Sequence, residues 1–325
     1  MSKRFMIYAD GGSKVCLGHI MRTLTLANAM RIEGVDVIFA TSSIDAIPMI
    51  EKEGFTCVSL NELNYEVLAQ KAVEHGARGV LVDKFGFTLS EHELIKDKVG
   101  LLVHIDDFTY NGPADIVINT TLDNRPKDSG GSWLCGGKYA IIRESFINDA
   151  KSIADNVTNV LITTGYGDPS NCHLKCIDVL NNVLPSANIH VVVGGGYTNK
   201  KELRSLASES LHIYENVTDI SDLMHMCDIA ITSAGTTLYE MAAAGLPAIA
   251  FSLYDNQIDN IARVSEKGCI VSLGWHEELT LKKIEMAIDK LANNKELRLR
   301  LSRAGRTWID GKGASRIAKH IKARL

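Results

Sequence analysis

Two long series of short apolar runs, each run followed by a stretch of helical period, constrain this chain more than any other feature of its sequence. The first series starts with FMIYAD, a helix from about Gly18 to Ile32 and VDVIFAT. It continues with FTCVSL, a helix from about Tyr65 to Glu74, GVLVD, a helix from about Ser90 to Lys98, GLLVHID and ADIVIN. Runs this apolar, alternating with helices, predict a parallel sheet covered on both faces. The second series begins at VTNVLITT and runs through a helix from about Asn171 to Leu184, NIHVVVGG, a helix from about Lys200 to Ser208, LHIYEN and a short helix around Asp219 to Met226. DIAITS, a helix from Thr237 to Ala244, LPAIAF, a helix from about Gln257 to Lys267 and CIVSL complete it. Between the series, residues from about Asn119 to Gly137 are rich in turn formers and have no period, so they read as loops. SFINDAKSIADN has no strand pattern either, which places a boundary near Ala150 to Asn156. The expectation is an α/β chain of two facing Rossmann-like domains, residues 1–152 and 153–325, with a cleft between the carboxyl ends of their sheets. Helical segments from about Leu279 to Leu325 close the second domain.

A chain of 325 residues, 46% hydrophobic, can fill the two cores this requires. Its formal net charge of −4 is scattered, which argues against nucleic acid as a partner, since a duplex binder needs a basic face. No run approaches the roughly 18 apolar residues of a membrane span, and the start MSKRFMIYAD leads into a strand-like run and not into a signal peptide, so a cytoplasmic protein without an integral membrane segment is expected. The seven cysteines, at positions 16, 57, 135, 172, 176, 227 and 269, form no paired framework and read as reduced thiols.

Chemistry is expected in the loops that follow strands, because ligands of doubly wound sheets bind there. The first such loop holds Asp10, Gly11, Gly12, Ser13 and then Gly18, His19 and Arg22. His19 falls in the first turn of a helix, whose positive dipole end favours a neutral imidazole, and that makes it a candidate general base. The bland alternative is a histidine that only hydrogen-bonds at a helix start. Arg22 could meet a phosphate or pair on the surface. The glycines do not have the spacing of the dinucleotide fingerprint.

In the second half, Thr164 to Ser170 place Gly165, Gly167 and Pro169 before a helix, an arrangement that suits an anion or mere packing. Gly194, Gly195 and Gly196 carry the same ambiguity. The most specific stretch is Ser233 to Glu240, in which Gly235, Thr236 and Thr237 open a helix that could receive a diphosphate. Glu240 lies one turn inside, where its carboxylate could accept both hydroxyls of a ribose diol or simply be a solvated acid. Asn256 and Gln257 begin the next helix and face the same crevice, or cap it. Asp106 with Asp107, and His173 with Cys172 and Cys176, lack trustworthy ligand spacing, so no metal is expected.

Together these loops resemble the UDP-sugar hydrolases of pseudaminic acid synthesis and the related spore-coat polysaccharide proteins. That family is similar in turn to nucleotide-sugar glycosyltransferases of the GT-B type. Its first motif reads here as Asp10 through Gly18, His19, Ile20, Met21 and Arg22. A later element looks like Asp83, Asp106 with Asp107, and KYAIIRESF from Lys138. The motifs of the second half match Gly167 to Pro169, Gly235 to Glu240, and Asn256 with Gln257. Three positions depart from the pattern: Cys16 in place of a glycine, Tyr8 in place of a basic residue, and Tyr166 in place of the second of two glycines.

The resemblance implies a GT-B-like fold, a UDP-sugar substrate, no cofactor, and a metal-free reaction. Water, activated by His19, would displace UDP from the anomeric carbon of a modified amino- or deoxy-sugar in nonulosonic acid or surface polysaccharide biosynthesis, with Asp10 and Asp83 next in line as the base if His19 is not. Asp10, Ser13, Gly18, Arg22, Asp83, Gly167, Gly235, Thr236, Thr237, Glu240, Asn256 and Gln257 would bind the substrate. An inverting glycosyltransferase with the same donor is the alternative. A silent nucleotide-sugar binding protein is a third reading.

Overall fold

The computed structural model describes residues 3–11, 18–84, 88–105, 112–127, 129–147, 151–215, 217 and 219–325. It divides into two compact units, 1–142 with 311–325, and 143–310.

Unit 1 runs β1 (Arg4–Ala9), α1 (Gly18–Ile32), β2 (Asp36–Thr41), α2 (Ile47–Lys52), β3 (Thr56–Ser59), α3 (Tyr65–Glu74), β4 (Gly79–Asp83), α4 (Leu89–Lys96), β5 (Leu101–Ile105), β6 (Ile116–Asn119) and β7 (Ser132–Cys135). The sheet order is β3-β2-β1-β4-β5-β6-β7, and every pairing is parallel. Successive side chains of β1 serve opposite faces, as strand geometry requires. Phe5, Ile7 and Ala9 join the layer of Leu24, Ala27 and Met30 of α1, whereas Met6 and Tyr8 join that of Leu68 and Ala72 of α3. Both faces are therefore dry, and this explains why the strands show continuous apolar runs.

Unit 2 runs β8 (Asn159–Thr163), α5 (Cys172–Val183), β9 (Asn188–Val193), α6 (Lys200–Ser205), β10 (Leu211–Glu215), α7 (Ser221–Met226), β11 (Ile229–Ser233), α8 (Thr237–Ala244), β12 (Ala248–Ser252), α9 (Ile258–Glu266), β13 (Ile270–Trp275), α10 (Leu281–Ala292) and α11 (Lys295–Trp308). Its sheet order is β10-β9-β8-β11-β12-β13, also parallel throughout. Gly245 ends α8 in the left-handed region at φ 72°, and a side chain there would press on Ser302 and Arg306 of α11.

Four features depart from the sequence reading. A short helix, α2, stands between β2 and β3, where the reading had none. Within the stretch expected to be loop, SWLC forms β7 by pairing with β6 from Ile116 opposite Ser132 to Asn119 opposite Cys135. The units part at 142/143 and not near residue 152, because the segment from Arg143 packs on α7 and α8 and buries Phe146 completely. The final helix, α12 (Gly313–Lys322), belongs to unit 1 and not to the second domain: its Ile317, Ala318 and Ile321 are fully buried against α1. Gly313 lets it land there, since a Cβ would collide with the carbonyl oxygen of Ala140.

Candidate active site

In each sheet the strand order reverses once, between β1 and β4 and between β8 and β11. Loops at such a switch point diverge to opposite faces and leave a crevice at the carboxyl ends of the strands. Among the described residues, Asp10, Gly18, His19, Arg22 and Asp83 lie at the ends of β1 and β4 or in the helix that follows β1, and Gly167 and Gly235 to Glu240 follow β8 and β11, whereas Asn256 and Gln257 follow β12.

In unit 1, Asp83 is the last residue of β4 and its side chain is wholly buried. His19 and Arg22 lie three apart on α1 and so share one helix face. His19 Nδ1 is 2.7 Å from Asp83 Oδ1. Arg22 Nε donates to Asp83 Oδ2 at 2.7 Å and its Nη2 to Oδ1, a two-pronged pairing. Burial alone would raise the Asp83 carboxyl, but Arg22 and His19 outweigh it and hold the group well below the usual carboxylate range. An ionised carboxylate only accepts, so the proton sits on His19 Nδ1 and Nε2 is the basic nitrogen. This orientation rests on a carboxylate partner, whereas the sequence reading had only the helix start. Arg22, read as facing a phosphate or the surface, faces Asp83.

Asp10 is tied down in a different way. It accepts from the Tyr8 hydroxyl, from Thr41 Oγ1 at 3.0 Å, and from the Ser42 amide and hydroxyl at 2.8 and 2.9 Å. Although burial raises it, these bonds, led by that from Tyr8, leave Asp10 below its ordinary value, and the same contact with burial pushes the Tyr8 hydroxyl far up. Asp10 thus fastens the end of β1 to the end of β2. Both carboxylates in reserve as bases, Asp10 and Asp83, are therefore poor proton acceptors. Gly18 is the first residue of α1. Ser13, Cys16, Asp106 and Asp107 lie outside the described residues.

In unit 2, the loops after β8 and β9 interlock. A Cβ on Gly194 would strike the carbonyl oxygens of Gly165 and Tyr166, and one on Gly196 would come 2.5 Å from the Tyr166 ring. The glycines at 194 and 196 therefore serve close packing of two loops. Buried Asp168 accepts the His173 amide at 2.8 Å at the start of α5. Burial raises its carboxyl, yet hydrogen bonds from His173 and Cys172 outweigh that and keep it low. Gly167 sits 3.5 Å, measured from its would-be Cβ, from the Tyr254 hydroxyl.

The loop after β11 is braced from several sides. Ser233 Oγ donates to the Thr164 carbonyl at 2.9 Å, and Asn260 Nδ2 donates to the Ala234 carbonyl at 2.6 Å. Gln257 is buried, its Oε1 accepting from the Leu253 amide at 2.9 Å, and its Nε2 lies 3.7 Å from where a Cβ on Gly235 would stand. Asn256 is exposed. Thr236 precedes α8 and makes no side-chain cap, so its exposed hydroxyl is not spent on the helix. Glu240, one turn in, keeps 18% of its side chain exposed, and Arg143 reaches it with Nη2 at 3.0 Å and Nε at 3.3 Å. Burial raises the Glu240 carboxyl, and Arg143 opposes that rise without cancelling it.

The structure thus assembles His19, Arg22 and Asp83 in unit 1, with Asp10 nearby in sequence but engaged with β2. In unit 2 it gathers Gly235, Thr236, Thr237, Glu240 and Gln257 about one loop. Sequence reasoning missed Arg143 as a site residue: it stands in the KYAIIRESF element, but its partner is 97 residues away and no spacing rule links them.

A model of the glycosyltransferase family 28 C-terminal domain matches residues 146–321. The chain is 24% identical over 277 residues to the UDP-2,4-diacetamido-2,4,6-trideoxy-β-L-altropyranose hydrolase of Campylobacter jejuni, covering 82% of this chain and 97% of that protein. It is 22% identical over 330 residues to the spore coat polysaccharide biosynthesis protein SpsG of Bacillus subtilis, covering 96% and 95%. An uncharacterized protein of Methanocaldococcus jannaschii, MJ1062, is 29% identical over 276 residues, or 78% of this chain, which spans 56% of that protein's length. Among solved structures, MurG of Acinetobacter baumannii superposes with a TM-score of 0.68 at 14% identity, over 99% of this chain and 100% of that one. The two-sheet architecture is that of the GT-B glycosyltransferases. No helix among the described residues is long and apolar enough to cross a membrane.

Proposed function

Because the chain belongs to the family of the glycosyltransferase family 28 C-terminal domain, we propose that it hydrolyses a UDP-linked amino- or deoxy-sugar to UDP and free sugar. The observation that carries this reading is the hydrogen bond of His19 Nδ1 to buried Asp83. It leaves Nε2 as the basic atom, and a general base needs that arrangement: a proton-accepting nitrogen, oriented by a carboxylate on the other side of the ring. His19 takes a proton from water as water attacks the anomeric carbon and the bond to the β-phosphate oxygen breaks. Unit 2 holds UDP, with the diphosphate at the Gly235–Thr237 helix start and the ribose on Glu240. The helix start stabilises charge developing on the leaving diphosphate, a preorganised contribution assigned to backbone amides and the Thr236 and Thr237 hydroxyls in place of a divalent ion. The hydrolase named among the relatives supports water as the acceptor. Nonulosonic acid or surface polysaccharide synthesis in the cytoplasm is the setting that fits this reading.

A second reading, transfer of the sugar to a hydroxyl acceptor from the same donor site, is favoured by the family model itself, whose description is that of a glycosyltransferase. Product analysis separates the two. With a panel of UDP-sugars and a chelator present, hydrolysis predicts UDP and free sugar in equal amounts without any acceptor. UDP release only when an acceptor is added would establish the transferase. No turnover despite UDP binding would establish a silent binding protein. Loss of turnover in chelator would overturn the metal-free route.

A further inference from the structure

Arg143 does nothing in the reaction as drawn, yet it is built into the nucleotide side of unit 2. It immediately precedes the turn Glu144–Phe146, and its guanidinium lies 4.5 Å from the centre of the fully buried Phe146 ring. From that shelf two of its nitrogens converge on Glu240 Oε1, at 3.0 and 3.3 Å, while Nη1 stands 3.9 Å from Asp219. Both side chains are mostly covered, 17% exposed for Arg143 and 18% for Glu240.

We propose that Arg143 is a positioning residue of the nucleotide site, whose guanidinium fixes the Glu240 carboxylate as the anionic acceptor of the ribose hydroxyls without itself touching the nucleotide. This rests on the reading that unit 2 binds UDP through Glu240. A lone carboxyl with only 18% of its side chain exposed would tend to hold a proton, and a protonated acid offers ribose a poorer acceptor. Burial raises Glu240 and nearby Asp219 pushes the same way, so the charge that favours the ion is Arg143. Among the described residues, His225 of α7 meets the Ser145 carbonyl through Nε2 at 3.0 Å. Arg306 of α11 packs at Gly245, the far end of α8, and Lys151 donates to the Met224 and His225 carbonyls that end α7. Anchorage on Phe146 and a second anionic neighbour make Arg143 a fixed strut, suited to orienting a carboxylate and not to leaving it when a ligand arrives.

The test compares UDP with 2′-deoxy-UDP, because their affinity ratio cancels the ionisation of the phosphates they share. Binding is measured from pH 5.5 to 9 for wild type, Arg143→Gln, Arg143→Lys, Glu240→Gln and the double variant Arg143→Gln/Glu240→Gln. Wild type should prefer UDP by roughly tenfold or more, as expected for a hydrogen bond to a charged acceptor, and lose the preference on the acid side. In Arg143→Gln that loss should move to higher pH and be regained in alkali, whereas Arg143→Lys should stay within about threefold of wild type. On the Glu240→Gln background, removing Arg143 should change nothing further. A wild-type profile in Arg143→Gln overturns the proposal, and so does a uniform loss at every pH, which marks a merely structural strut. A loss that persists in the double variant also overturns it, since Arg143 would then touch the nucleotide itself. If Arg143→Gln does not fold, the lysine variant decides, a shifted or lost profile counting against the proposal. Absence of any UDP preference in wild type, or its survival in Glu240→Gln, would instead overturn the underlying reading of Glu240.

Discussion

Asp83 and Glu240 both stand at the switch point of their own unit's sheet, and the two acids are treated in opposite ways. Asp83 is completely buried but faces two basic side chains, Arg22 and His19, which hold its carboxyl far below the usual range. Glu240 is less completely covered, yet it has one strong cation, Arg143, with Asp219 opposing, and its carboxyl is pushed up. Depth alone therefore does not decide the state of a buried acid; the number and geometry of its partners do. Asp83 is locked as an ion and can only orient what touches it. Glu240 is pushed up by burial against the pull of Arg143, and further hydrogen-bond donors, such as a ribose diol, would favour its charged form.

The contrast can be broken most forcefully by removing each acid in turn. Asp83→Ala leaves Arg22, with only 13% of its side chain exposed, without its counter-charge and should destabilise unit 1 by about 3–5 kcal/mol in urea melts, the usual cost of breaking a buried pair. Glu240→Gln should change the stability of unit 2 much less. Asp83→Ala behaving like Glu240→Gln would erase the distinction drawn between them.

Next in size is the effect on ligand. Glu240→Ala should weaken UDP by roughly 1–3 kcal/mol if a charge-assisted bond to ribose is lost, measured by calorimetry in chelator. Equal binding of UDP, CMP and GDP by wild type would remove the basis for assigning unit 2 to uridine nucleotides.

Acid stability sharpens the same comparison more gently. Asp83 has a folded value below its unfolded one of about 3.9. Its contribution is thus fully present above that pH and is lost as pH falls through the folded value. Circular dichroism should show unit 1 losing stability below about pH 4, and Asp83→Asn should remove that limb while lowering stability at neutrality. An unchanged acid limb in Asp83→Asn would mean that other carboxylates carry it.

How far these regions were legible depended on how local their causes are. Strands and helices were readable because period and apolarity act within a dozen residues, and the loops nominated from GHIMR and SAGTTLYE do follow strands at both switch points. β7 was missed because four residues set among turn formers become a strand only when β6 supplies their hydrogen bonds. α12 showed a helical pattern but not which core would receive Ile317 and Ile321, 285 or more residues beyond α1. Asp83 was nominated as a substrate contact from resemblance alone; its pairing with His19, 64 residues away, is a fact of topology. Arg143 carried no local signal that could have tied it to Glu240.

The central claim is a division of labour in which His19 of unit 1 does the proton chemistry and unit 2 holds UDP. Steady-state turnover of a UDP-sugar by wild type and His19→Asn, with UDP affinity measured on the same preparations, tests it most directly. Turnover should fall by about 10² to 10⁴, the usual worth of general-base catalysis, while UDP affinity stays within about twofold. Near-normal turnover in His19→Asn, or equal losses of turnover and UDP affinity, would contradict it.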